Sequence, residues 1–128
     1  MSSTLTVTNL TATNLTDGAG TTSTFANVAS GSAKMWISFN GTGTPAIYES
    51  LNVSSLTDVS TGRFLGNFSN SFSSSTYNVS QGAGQVDRFM QYQGNSTAVS
   101  YLDMRVTDAA TSYADVAYNS SSVTGDLA

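Results

Sequence analysis

The stretch Ala33–Val53, AKMWISFNGTGTPAIYESLNV, constrains the fold more than any other part of the chain. Ala33, Met35, Ile37 and Phe39 alternate with Lys34, Trp36, Ser38 and Asn40. A period of two puts one set on a buried face and the other on the opposite face, which is a strand and not a helix. Asn40-Gly41-Thr42-Gly43-Thr44-Pro45 then predicts a turn, because glycine reaches positive φ cheaply and proline fixes its own. Apolar residues resume at Ala46 and Ile47 and continue to Leu51 and Val53, which predicts a returning strand and places the lone Trp36 on the outward face.

Composition points the same way. Only 9% of the 128 residues are charged, against roughly 25% in an ordinary soluble domain. Serine and threonine take their place, with 40 positions between them. Their hydroxyls satisfy hydrogen bonds without charge and pair across strands, and threonine favours sheet. One Lys, one Glu and three Arg leave no convincing amphipathic helix.

Charge and residue types narrow the function. The net charge is −4, and Lys34, Arg63, Arg88 and Arg105 are too few for the basic patch that nucleic acid requires. With no cysteine there are no disulfides or thiolate metal sites, and with no histidine the commonest acid–base catalyst is missing. No cofactor and no enzymatic activity are expected. The N-terminus MSSTLTVTNL has neither a basic start nor a continuous apolar run, so it does not read as a secretory signal, and no segment approaches a membrane span.

Two parts are expected: an extended N-terminal assembly arm, residues 1–30, and a β-sandwich domain, residues 31–128. The arm carries a five-residue echo, TNLT at Thr8–Thr11 and at Thr13–Thr16. Its large apolar residues after Met1 are Leu5, Val7, Leu10, Leu15, Phe25 and Val28, too few to close a core. Burying a leucine yields roughly 1.5–3 kcal/mol, while fixing each residue costs about 1–2 kcal/mol. Leu5, Val7, Leu10, Leu15 and Phe25 are therefore expected to make assembly contacts.

After the first hairpin the pattern predicts a turn over Leu56–Gly62, a strand over Arg63–Phe68 with a bulge or close approach at Gly66, and a polar loop anchored by Phe72. Short strands follow at Thr76–Val79 and Asp87–Gln93, separated by a Gly82–Gly84 turn. Ala98–Val106 is the longest strand, with Leu102, Met104 and Val106 inward and Asp103 and Arg105 outward. Tyr113–Tyr118 is the last strand, and SSSVTGDLA reads as a polar tail. Short strands with turns every 8–12 residues or so predict an all-β fold, a small antiparallel sandwich or jelly-roll-like domain.

Residues Gly31–Phe68 resemble a domain of tailed-bacteriophage virion proteins, of tail-fibre or capsid-decoration type, found in marine and cyanobacterial phages. The resemblance lies in Lys34-Met35-Trp36-Ile37 followed by Phe39-Asn40-Gly41-Thr42-Gly43-Thr44, in Ser50–Asp58, and in Thr61–Phe68. Phe64 stands where the family has tyrosine and Gly66 where it has valine. A following family turn survives only as Ser71–Tyr77, without its proline. The likeness covers about a third of the chain. It implies a non-enzymatic protein of the virion surface, assembled in the host cytoplasm and usually a homotrimer. The partners would be the phage major capsid protein or tail components.

Other candidates read more plainly. Eight Asn-x-Ser/Thr triplets, among them Asn9, Asn40, Asn52, Asn67 and Asn95, follow from the abundance of Ser and Thr. The glycines after Asn40 have no phosphate-loop lysine behind them. Asp87, Asp103, Asp108, Asp115 and Asp126 would have to converge from separate strands to bind an ion, so solvated charges are the expectation. Asp87/Arg88 and Asp103/Arg105 are candidates for subunit salt bridges. Trp36, Tyr48, Tyr92 and Tyr113 stand among polar residues as surface or interface aromatics, suited to subunit contact or to stacking on a host-surface glycan.

Overall fold

A computed structural model of the chain describes residues 14–16, 19–20, 22–24, 28–29, 31–92 and 98–128. The chain forms two compact units, Met1–Ser32 and Ala33–Ala128. In the first, β1 (Asn14–Thr16) pairs antiparallel with β2 (Thr22–Thr24), and the hydroxyls of Thr16 and Thr22 lie 2.8 Å apart.

The second unit is an all-β sandwich. Its strands are β3 (Ala33–Asn40), β4 (Ala46–Leu51), β5 (Val53–Ser60), β6 (Arg63–Phe68), β7 (Asn78–Ala83), β8 (Phe89–Tyr92), β9 (Tyr101–Thr107) and β10 (Asn119–Thr124). They form two antiparallel sheets of four, ordered β4-β3-β10-β7 and β5-β6-β9-β8.

The alternation in β3 is realised: Met35, Ile37 and Phe39 are buried, while Trp36 lies on the outward face. From the second sheet Phe64, Leu102, Met104 and Val106 meet them, and Phe39 and Phe64 pack edge to face at 5.2 Å. One end of the core is closed by Phe68, Phe72 and Tyr77, whose ring centroids lie 4.9–6.0 Å apart. The Tyr77 hydroxyl donates to the carbonyl of Tyr101 at 2.9 Å, the polar exit that a buried tyrosine needs. Phe72 anchors its polar loop as expected, and Asn40 closes the first turn through its side chain onto Thr42. At Gly66 the close approach holds: an added Cβ would lie 3.3 Å from the methyls of both Met35 and Met104.

Several expectations are corrected. Leu56–Gly62 is not a turn, since β5 runs through Ser60. The chain leaves the first sheet at Asn52, whose φ of 57° makes a one-residue corner into the second. Asparagine tolerates that conformation, and here its amide is tied to Asn70: Oδ1 accepts the Asn70 N–H at 2.7 Å, and Nδ2 donates to the Asn70 carbonyl at 3.0 Å. In β7 the strand runs on to Ala83, so Gly82 is not in a turn.

Tyr113–Tyr118 is not a strand. Tyr113 makes only an isolated bridge to Thr107, and the following residues cross between sheets, with Val116 buried as a plug. The supposed polar tail contains β10, a central strand bonded on both sides by β3 and β7. It is legible only in three dimensions, because Val123 is its sole large apolar residue. Its other inward residues, Asn119 and Ser121, are buried polar groups: Asn119 Nδ2 donates to the Val116 carbonyl at 2.6 Å while its Oδ1 has no partner among the described residues, and Ser121 Oγ accepts from Gln81 Nε2 at 3.1 Å.

Candidate functional site

The outward face of the second sheet is built by cross-strand pairing. Along β9, Tyr101, Asp103, Arg105 and Thr107 alternate with the core residues Leu102, Met104 and Val106. In register on β6 stand Asn67 opposite Tyr101, Leu65 opposite Asp103, and Arg63 opposite Arg105. On β8, Gln91 faces Arg105 and Phe89 faces Thr107, with Tyr113 bridging Thr107 from the other side.

Asp103 occupies the outward position read from sequence, but it is not a solvated charge: it is 0% exposed. Arg63 clamps it, Nη2 to Oδ2 at 2.7 Å and Nε to the two oxygens at 3.3 and 3.2 Å. Arg105 adds its Nε at 3.5 Å and spends Nη1 on the Tyr113 hydroxyl at 3.2 Å. The bond and the charge of Asp103 raise the pKa of Arg63 above its ordinary value, so its positive form is held the more firmly. Thr107 is 5% exposed between Phe89 and Tyr113, and it accepts a bond from Gln91 Nε2 at 3.3 Å. Phe89 and Tyr113 themselves remain about half exposed. The face is therefore a second packed layer, polar inside and aromatic at its rim.

The outward face of the first sheet is different in kind. Trp36, Ser122 and Ser80 form one row across β3, β10 and β7, and Ser38, Ser120 and Gly82 form the next. Small side chains leave a shallow trough of about 370 Å³ beside Trp36. A neighbouring hollow of about 320 Å³ runs on to Tyr118. Tyr118 stacks on Tyr48 at 5.8 Å, and the Tyr48 hydroxyl donates to the Ala117 carbonyl at 3.1 Å. Ser122 and Tyr118 are four residues apart, a span of roughly 13 Å at the rise of a strand.

The four aromatics singled out from sequence thus do not share one place. Trp36 and Tyr48 belong to the first sheet and Tyr113 to the second. Tyr92 is on β8, lining a hollow with Val79, Gln81, Met90 and Gln91. Leu5, Val7, Leu10 and Phe25 lie outside the described residues; Leu15 lies in β1, where only the backbone is described. Of the charged residues singled out for subunit salt bridges, Arg88 lies 3.5 Å from Asp108 and Arg105 lies 3.5 Å from Asp103 within the chain.

Among the described residues no three Asp or Glu side chains gather, and no helix is long and apolar enough to cross a membrane. Asp108 Oδ1 accepts the N–H groups of Ala110 and Ser112, and Asp115 accepts that of Gly62. Sequence reading missed Arg63 and Phe89 as site residues. The signal available was the odd spacing of Arg63, Leu65 and Asn67 opposite an inward Phe64 and Phe68. No family model, curated protein or solved structure matches this chain.

Proposed function

We propose that the chain is a non-enzymatic structural protein of a bacteriophage particle, a homotrimeric capsid decoration (cement) protein on the particle surface. The observation that supports this most is the outward face of the second sheet. A fully covered carboxylate held by two arginines, rimmed by half-exposed Phe89 and Tyr113, has the make-up of a contact hot spot. Side chains already locked by one another lose little entropy on docking. Repeated around a symmetric shell, modest contacts would add through avidity. The remaining surface, rich in hydroxyls, suits a protein exposed on a particle.

The trough of the first sheet favours a second reading, a tail fibre or receptor-binding tip that attaches to host-surface glycan. A floor of Ser38, Ser80, Ser120 and Ser122 offers hydroxyl donors and acceptors, and Trp36 and Tyr118 offer rings at its two ends. Quantitative mass spectrometry of purified particles separates the two. Copy numbers on the order of hundreds are expected for decoration and a few dozen or fewer for a fibre. Absence from washed particles would overturn both.

A further inference from the structure

The outward face of the second sheet carries more positive charge than it neutralises. Arg63 and Arg105 stand directly opposite each other on β6 and β9, a placement in which like charges repel. Both lean on the single carboxylate of Asp103. Among the described residues, two guanidinium groups against one carboxylate leave one positive charge without a counterpart there.

Elsewhere the balance runs the other way. The chain is −4 in sum, and Glu49, Asp58, Asp87, Asp115 and Asp126 form no ion pair among the described residues; Asp115 is already engaged by the Gly62 N–H, which leaves the other four. None belongs to this face. Glu49 is on the first sheet, Asp58 is opposite the inward Phe64, Asp87 lies between β7 and β8, and Asp126 follows β10.

We propose that this face docks a carboxylate side chain of a second copy of the chain, in a head-to-tail contact that closes the trimer. This rests on the homotrimer reading above. Site and counter-site on different surfaces of one chain are what a ring-forming, heterologous contact requires. The incoming carboxylate supplies the missing negative charge, and Phe89 and Tyr113 exclude water around it.

The test is the mass of the full-length protein by native mass spectrometry and sedimentation, at about 50 mM and about 500 mM salt, where charge contacts are screened to different degrees. The wild type is expected to be trimeric, more weakly so at high salt. Arg105→Gln and Phe89→Ser, checked for folding by circular dichroism, are each expected to weaken association about tenfold. Of Glu49→Gln, Asp58→Asn, Asp87→Asn and Asp126→Asn, one is expected to reproduce that loss and so identify the docked group.

A wild-type trimer indifferent to salt and to all six substitutions overturns the proposed contact while leaving the trimer intact. A monomeric wild type overturns both. If Arg105→Gln fails to fold, the exposed Phe89→Ser and the salt response decide.

Discussion

Asp103 shows how much a single outward position can carry. Its carboxylate is out of reach of water on the face where sequence alternation places a solvated charge, because Arg63 and Arg105 fold over it. Replacing Arg63 by alanine should cost about 2–3 kcal/mol, less than the roughly 3–5 kcal/mol of breaking a buried pair outright, since Arg105 stays to share the charge and Arg63 is itself partly exposed. Arg63→Lys should recover only part of this, because an ammonium cannot reproduce the two-pronged bond; urea denaturation measures both. The raised pKa of Arg63 has a direction for pH. A group whose charged form is favoured in the fold contributes fully below its unfolded pKa and loses that contribution only above it, here in strong alkali. No change from Arg63 is therefore expected on a stability titration through neutral pH.

Two glycines separate by the same reasoning. Gly62 has a φ of 67°, and a Cβ there would meet the Val106 carbonyl oxygen at 2.7 Å and the Ala114 nitrogen at 2.8 Å. Both are backbone atoms that cannot step aside. Gly66 would meet only two flexible methionine methyls. Gly62→Ala should thus destabilise by well over the roughly 1 kcal/mol expected of Gly66→Ala, as thermal melts of the two would show.

At the scale of the element, β10 separates what the sequence discloses from what it hides. β3 and β9 were legible because Met35, Ile37 and Phe39, and Leu102, Met104 and Val106, alternate with polar residues and are large enough to be recognised as core. β10 has no such mark. Its inward positions are Asn119, Ser121 and Val123, and two of these achieve burial through hydrogen bonds formed with residues distant in sequence, not through apolar area. The corner at Asn52 was hidden for a like reason: nothing in Leu51-Asn52-Val53 announces a positive φ until Asn70 is seen to hold it. For the candidate site, sequence pointed to Tyr113 and to the Asp103–Arg105 pair. It could not bring Arg63 or Phe89 beside them, because that depends on how strands pair. Removal of residues 119–128 should abolish folding of the sandwich, and the amide protons of β10 should be among the slowest to exchange. Fast exchange throughout β10 would mean that it is not a central strand.

For the whole molecule, the sandwich has its own core, whereas the described residues of the N-terminal unit show a short hairpin and a turn closed by the Ser32 N–H on the Val28 carbonyl. Residues 33–128 should therefore fold alone, while deletion of residues 1–30 should abolish trimerisation or docking, because a single charge contact on the second sheet is too weak to hold three copies together without the arm. Replacing Leu10 and Leu15 by Asp should do the same, by placing charges at the proposed assembly contact. The most direct measurement is sedimentation equilibrium of the full chain beside residues 33–128. A full-length mass near three times 13.3 kDa, with a folded monomer for the shorter piece, is the predicted result. A full-length protein that stays monomeric at every concentration would contradict it.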